Sequence, residues 1–420
     1  MLALSRALGI ATILLAASAQ ATILAQWVQL GPNGTTSLRA ISDDACPDVA
    51  LDGVALPMHV RAEPDRKFAE VPAAHFSVRS CEAELPAGVR SAAIAGRQLP
   101  LPRPDPQRIV LFGDTGCRLK GERQVQDCND PAAWPFAKIT AAAAAAHPDL
   151  VIHLGDYDYR ETACPADRRG CSGSPSGYGW EPWKVDFFDP AAPLLATAPW
   201  VMVRGNHENC GRAGEGWFRF LDRAPMEAAC RDRTGLFVAR LGNFGIVDLD
   251  SARADDPKKA KDRTDLVALL HDQFETVAGT IPAESWLVTH QPLDAILGVK
   301  GRNVVGNSVI EAGLGPSLPD SVRMLVSGHI HFFQALDFGG LHAPQLVVGT
   351  GGDSLDPVPP QSLLGAMVNG SRVVSAATYS GFGYMLWERQ DAIWSGVLYD
   401  SEAKPLGHCR LDGRSLACSS

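Results

Sequence analysis

Leu150-Val151-Ile152-His153-Leu154-Gly155-Asp156-Tyr157-Asp158-Tyr159 is the stretch whose reading decides the fold. A run rich in Val, Ile and Leu reads as a buried strand, although periodicity alone leaves a buried helix open. It ends in a glycine suited to a tight turn and then in side chains able to bind a hard metal. The design recurs on either side. Upstream, Arg108-Ile109-Val110-Leu111-Phe112 leads into Gly113-Asp114-Thr115-Gly116. Downstream, Trp200-Val201-Met202-Val203-Arg204 leads into Gly205-Asn206-His207-Glu208. Two later runs, Trp286-Leu287-Val288-Thr289 and Met324-Leu325-Val326-Ser327-Gly328, deliver His290 and His329-Ile330-His331. In open α/β sheets ligands bind beyond the carboxyl ends of the strands, where all these clusters fall. The candidate metal ligands are therefore Asp114, Asp156, Tyr159, Asn206, His290, His329 and His331.

This set resembles the calcineurin-like metallophosphoesterases and, within them, the purple acid phosphatases, over roughly residues 108–350 and in the same chain order. The wider superfamily opens with Gly-Asp-x-His, and here Gly116 stands where the histidine would be. The purple branch instead supplies a tyrosine three residues after the second aspartate. Tyr159 holds that position, although Tyr157 could occupy the nearby volume. The resemblance implies an α/β fold, a four-layer α-β-β-α sandwich, with a small N-terminal β-rich module. It also implies two metal ions that share Asp156. The first, Fe(III), would take Asp114, Asp156, Tyr159 and His331. The second, divalent Zn, Fe or Mn, would take Asp156, Asn206, His290 and His329. A phenolate and two carboxylates suit a hard trivalent ion, whereas an amide and two imidazoles suit a divalent one.

The activity so implied is that of an acid phosphatase, a secreted hydrolase of phosphate monoesters in which a metal-bound hydroxide attacks phosphorus. His207 would bind the phosphoryl oxygens or protonate the leaving alkoxide, and Glu208 is placed to orient His207. Plant-type members carry further histidines soon after the position of His290, and Gln291 to Gly301 contains none. The same centre would serve a phosphodiesterase acting on nucleotide or phospholipid-type diesters. A reading of another class is a non-catalytic secreted metal-binding protein. His207 argues against it, because a scaffold needs no leaving-group acid.

The 420 residues suit one large domain or two unequal ones, and 46% hydrophobic with 20% charged residues is ordinary globular composition. A formal net charge of −9 offers no electrostatic footing to nucleic acid or an anionic membrane, and it would not steer a phosphate ester either, so the small phosphate-ester partner is what the resemblance implies. Arg6, an apolar stretch from Ala7 to Ala17 and the small-residue site Ala17-Ser18-Ala19 read as a signal peptide over residues 1–19. Its removal leaves no stable membrane anchor and places the protein outside the cell or in the periplasm. Ten cysteines suit such an oxidising compartment. Of the many pairings they allow, the simplest is sequential: Cys46–Cys81, Cys117–Cys128, Cys164–Cys171, Cys210–Cys230 and Cys409–Cys418.

The expected organisation is a β-rich module over 25–100, a catalytic domain over 107–400 and a disulfide-pinned tail over 401–420. An irregular extension is the alternative for the first segment. Leu99 to Pro106, with four prolines, reads as a stiff linker between module and domain. Helices are expected over Trp134–Ala146 and about Lys261–Val277, and hairpins around Gly242-Asn243 and within Gly383–Gly396. Residues 160–183 form a long loop, in which Tyr178, Trp180 and Trp183 either stack on an aromatic leaving group or anchor the loop.

Overall fold

The computed structural model describes residues 21–65, 68, 71–227, 229–254, 259–299, 302–315 and 317–419. The expected signal peptide lies outside the described residues. Strands β1 (Arg108–Phe112), β2 (Leu150–His153) and β3 (Trp200–Met202) run parallel, with Val151 opposite both Val110 and Trp200. They sit in the middle of an eleven-stranded sheet. Strands β4 (Phe244–Leu249), β5 (Glu284–Thr289), β6 (Val322–Ser327) and β7 (Gln345–Val348) run parallel to one another in a seven-stranded sheet. Both faces of these strands are covered, so their sequences are unbroken apolar runs rather than alternating ones.

The two sheets pack face to face. Ile109, Leu111, Ile152 and Val201 of the first meet Ile246, Trp286, Val288 and Val326 of the second in one core. The intervening residues Val110, Phe112, Val151 and Trp200 point the other way, onto α1 (Phe136–Ala145) and α2 (Asp189–Leu195). On the opposite side Val247, Leu287 and Leu325 pack on α3 (Ala260–Ala278) and α4 (Ser308–Leu314) through Leu266, Leu270, Phe274 and Ile310. The result is the four-layer α-β-β-α sandwich. Its active edge is set by topology, because parallel strands place all their carboxyl ends together.

The N-terminal segment is β-rich, and its strands extend the first sheet. Ile23–Leu30 runs parallel to β3, with Gln29 opposite Trp200, and Thr36–Ser42, Arg79–Glu84 and His59–Ala62 continue outward. A four-stranded sheet of residues 48–51, 54–57, 92–94 and 97–98 packs on these strands through Val49 and Ile94. At the other end, Gly383–Gln390 pairs antiparallel with β1 and forms the expected hairpin with Ile393–Asp400. Beyond it Pro405–Asp412 and Ser415–Ser419 add two further strands, in which Cys409 lies directly opposite Cys418. All five sequential cysteine pairs are disulfides. Among the described residues no helix is long and apolar enough to cross a membrane.

Candidate metal centre

At the carboxyl ends of β1 and β2 the chain turns sharply. Asp114 and Asp156 both adopt a left-handed backbone with φ 59°, and His329, just after β6, does so at 68°. Such φ values are uncommon outside glycine, and the strain they carry collects at functional sites. Gly155 precedes Asp156 at φ 95°, and a Cβ there would come 2.6 Å from His290 Nδ1. Gly116 is equally constrained. A Cβ would lie 2.7 Å from the Tyr157 carbonyl oxygen and 2.8 Å from the Tyr159 nitrogen, so the fold leaves no room for the superfamily's histidine.

Each aspartate gives one oxygen to the backbone and points the other inward. Asp114 Oδ2 accepts the His329 N–H at 2.8 Å, which leaves Oδ1 3.2 Å from Tyr159 Oη and 3.3 Å from His331 Nε2. Asp156 Oδ1 accepts the His207 N–H at 2.8 Å, and Oδ2 faces Tyr159 Oη at 2.8 Å and His290 Nε2 at 3.2 Å. Tyr159 Oη also lies 3.2 Å from His331 Nε2. Around Asn206 a second cluster forms, with Oδ1 2.9 Å from His290 Nε2 and 2.8 Å from His329 Nδ1. Asp156 Oδ2 belongs to both clusters. All seven expected ligands are thus brought together, in the two groups expected.

Backbone carbonyls behind the histidines fix what these atoms offer. His290 Nδ1 donates to the Leu154 carbonyl and His331 Nδ1 to the Ser354 carbonyl, both at 2.8 Å. A carbonyl only accepts, so each Nδ1 carries the proton and each Nε2 turns a lone pair toward carboxylate, phenol or amide oxygens. Electron pairs converge at two points, more than the single Tyr159 hydroxyl proton can satisfy, and a cation or an added proton reconciles them. Titration tells the same story. Burial disfavours the imidazolium of His290, yet the Asp156 charge raises its pKa to about 9. Burial also opposes charge on His331, yet Asp353 and Asp114 raise it to about 10. Desolvation and the charge of neighbouring His290 push His329 down to about 4. Burial and then Asp156 and Asp114 drive the Tyr159 phenol well above its ordinary value, so a phenolate there requires a cation. The donor set fits metal ions on these grounds, and Asp156, His290 and His329 alone already converge on a common point.

His207 stands at the mouth. Its ring lies 3.9 Å from that of Tyr159, its Nε2 is 4.0 Å from Asp156 Oδ2, and its Nδ1 is 3.1 Å from Glu161 Oε1. The expectation that Glu208 orients His207 needs correcting. The tight turn Asn206–Glu208 sends consecutive side chains in different directions. The Glu208 carboxylate consequently lies under the Asp156 turn, accepting the N–H groups of Tyr157 (2.8 Å), Asp156 (3.0 Å) and Gly205 (3.1 Å). It shapes the loop that carries Asp156, and Glu161 is the carboxylate facing His207.

Glu161 carries no motif that sequence reasoning could use. Asp353 does. The run Gln345-Leu346-Val347-Val348 followed by Gly349-Thr350-Gly351-Gly352 repeats the strand-then-glycine design and ends at this aspartate. Its carboxylate receives Arg118 in a forked ion pair and lies 3.3 Å from His331 Nδ1. The Arg118 guanidinium in turn sits 5.2 Å from the Tyr159 ring centre. Tyr157 is not a rival ligand, since its hydroxyl donates to the Val203 carbonyl at 3.1 Å and its ring stacks on buried His153. Trp180 and Trp183 are core residues that anchor the long loop. Tyr178 remains partly exposed, its phenol pushed up to about 12 by burial and by Glu161.

Comparison with known proteins agrees with this geometry. The calcineurin-like phosphoesterase family matches residues 107–333, more than half of the chain. The structure is similar to that of purple acid phosphatase PPD1 from yellow lupin (Lupinus luteus), with a TM-score of 0.58 at 13% identity over 94% of this chain and 73% of that one. It is also similar to the structure of PhoD, with a TM-score of 0.52 at 11% identity over 94% of this chain and 92% of that one. No curated protein matches by sequence. On the family match, the chain belongs to the calcineurin-like phosphoesterases, metal-dependent hydrolases of phosphoesters that bind two metal ions.

Proposed function

We propose that the protein is a secreted phosphatase of the purple acid type, hydrolysing phosphate monoesters. In this reading Asp114, Asp156, Tyr159 and His331 hold Fe(III), and Asp156, Asn206, His290 and His329 hold a divalent ion such as Zn, Fe or Mn. The observation that carries it is the pair of convergent electron-rich points sharing Asp156 Oδ2, one of them built on a buried phenol. Two ions there would polarise a phosphoryl oxygen and acidify bound water, the chemistry of binuclear phosphoester hydrolysis.

The chain's own residues supply the rest. The carbonyls of Leu154 and Ser354 fix two imidazoles in the ligating tautomer, and the backbone bonds to Asp114 and Asp156 fix the carboxylates before any ion arrives. His207 is the acid for the leaving group. With Nδ1 3.1 Å from Glu161 Oε1, its Nε2 faces the shared oxygen and can deliver a proton to a departing alkoxide. Secretion is supported by the five disulfides together with the expected signal peptide.

The test is hydrolysis of 4-nitrophenyl phosphate against bis(4-nitrophenyl) phosphate by the metal-loaded protein at mildly acid pH. Faster turnover of the monoester supports the reading. Faster turnover of the diester replaces it with the phosphodiesterase. Turnover of neither, with two metals bound, would leave a metal-binding protein.

A further inference from the structure

Beside His207 the protein gathers positive charge that hydrolysis at the metal centre does not require. Although the chain carries a net charge of −9, Lys120 Nζ and Arg212 Nε both approach the same oxygen, Glu161 Oε1, each at 3.8 Å. His207 Nδ1 reaches that oxygen first, at 3.1 Å. One carboxylate thus serves two cations and an imidazole. At 3.8 Å neither cation is hydrogen-bonded to it, so their N–H groups stay available to another acceptor. Both side chains open to solvent, Lys120 at 40% and Arg212 at 25% exposure.

Neither cation is on a loose arm. Lys120 belongs to a two-residue ladder in which Leu119 and Lys120 pair with Val125 and Gln124, closed by Cys117–Cys128. Leu119 is stitched to the site loop by N–H bonds exchanged with Tyr159 and Thr162, both 3.0 Å. Arg212 donates its N–H to the Asn209 carbonyl and Ala213 donates to that of His207, both at 3.0 Å, in a loop tied by Cys210–Cys230. Two disulfides therefore hold two cations against the leaving-group side of the centre.

We infer that Lys120 and Arg212 form a second anion subsite next to His207. The preferred substrate is then a phosphate monoester whose leaving group itself carries an anionic group, a carboxylate or a further phosphate. This rests on the reading of His207 as the leaving-group acid, since that role puts the leaving group on this side. Attraction from two partly desolvated cations acts through binding, so it shows in KM more than in kcat.

The test uses metal-loaded protein and two esters that share a primary alkoxide leaving atom, 3-phosphoglycerate, which bears a carboxylate, and glycerol 3-phosphate, which does not. Each is measured as a competitive inhibitor of 4-nitrophenyl phosphate hydrolysis, so the comparison does not depend on its own turnover. Wild-type protein should bind 3-phosphoglycerate at least about tenfold more tightly, and the preference should shrink as salt rises. The Lys120→Gln/Arg212→Gln double variant should bring the ratio below about twofold, with each single variant between. Glu161→Gln, which removes the competing carboxylate, should raise the ratio even as turnover falls. Equal inhibition by the two esters in wild type, or an unchanged ratio in the double variant, overturns the subsite and leaves the phosphatase standing. No hydrolysis of 4-nitrophenyl phosphate by wild-type protein overturns the phosphatase reading, and the subsite with it.

Discussion

Around Tyr159 all four side chains are buried, and three of the four offer oxygen: Asp114, Asp156 and the phenol, with His331. Around Asn206 two of the four, Asn206 and His329, are partly exposed, and only Asp156 carries a negative charge. The two halves share one carboxylate oxygen. In the proposed two-metal reading, the anionic, closed half suits a hard ion and the more open half meets the substrate. The division follows the layers of the fold. The first sheet delivers every oxygen ligand from the ends of β1, β2 and β3, and the second delivers the three histidines from the ends of β5 and β6.

The largest effect comes from breaking what the halves share. Asp156→Asn should lower kcat/KM on 4-nitrophenyl phosphate by about 10³-fold or more and reduce metal content at both positions, read by elemental analysis. Retention of two metals at near-normal activity would contradict the shared oxygen. Next is His207→Ala, which should cost about 10²–10³-fold in kcat with metal content unchanged. The loss should be smaller on 4-nitrophenyl phosphate, whose leaving group needs little protonation, than on an alkyl ester. An equal loss on both would remove His207 from the acid role. Glu161→Gln should cost about tenfold in kcat. The loss should be larger on an alkyl ester than on 4-nitrophenyl phosphate, because Glu161 faces the leaving-group acid His207. An equal loss on both esters would make Glu161 merely structural.

The smallest effect concerns the metal-free protein. His290 and His331 hold protons up to about pH 9 and 10 in the folded chain. In the unfolded chain they release them near pH 6.5. Their contribution to stability is therefore complete below about 6.5 and is lost as pH rises through 9 and 10. His329, lowered to about 4, acts in the opposite sense and removes stability as pH falls from about 6.5 toward 4. Metal-free protein should thus be most stable near pH 6.5 and lose stability on either side, with its thermal midpoint a few degrees lower at about pH 9 than at about pH 6.5. Metal ions displace the protons, so loaded protein should show no such alkaline fall. An identical fall with and without metals would mean that protons and metals do not compete for these sites.

Much of the centre is legible in the sequence because each ligand follows a buried strand and, in the first sheet, a glycine. Local chemistry alone announces Gly155-Asp156 or Gly205-Asn206. The direction of a side chain within a turn is another matter. Glu208 looks like a partner for its neighbour His207, but the Asn206–Glu208 turn points it back at the amides around Asp156. Glu161 meets His207 across 46 residues of chain, in a loop without periodicity, so no local pattern marks it. The N-terminal segment is legible as β-rich and Gly383–Gly396 as a hairpin, but neither as part of the central sheet, and the last twenty residues are legible only as a disulfide-pinned tail. The pairing of Ile23–Leu30 with β3, Gln29 opposite Trp200, joins residues 171 positions apart. Asp353 is the miss that a stricter reading avoids, since its strand and glycines repeat the opening pattern.

The most direct test of the account is the visible absorption spectrum of purified wild-type protein and of Tyr159→Phe, with metal analysis on the same samples. Wild-type protein should contain iron plus a second metal and show a broad visible band, from charge transfer between phenolate and ferric ion, that disappears in the variant. Colourless wild-type protein holding two divalent metals, or a band that survives the loss of the Tyr159 hydroxyl, would contradict the account.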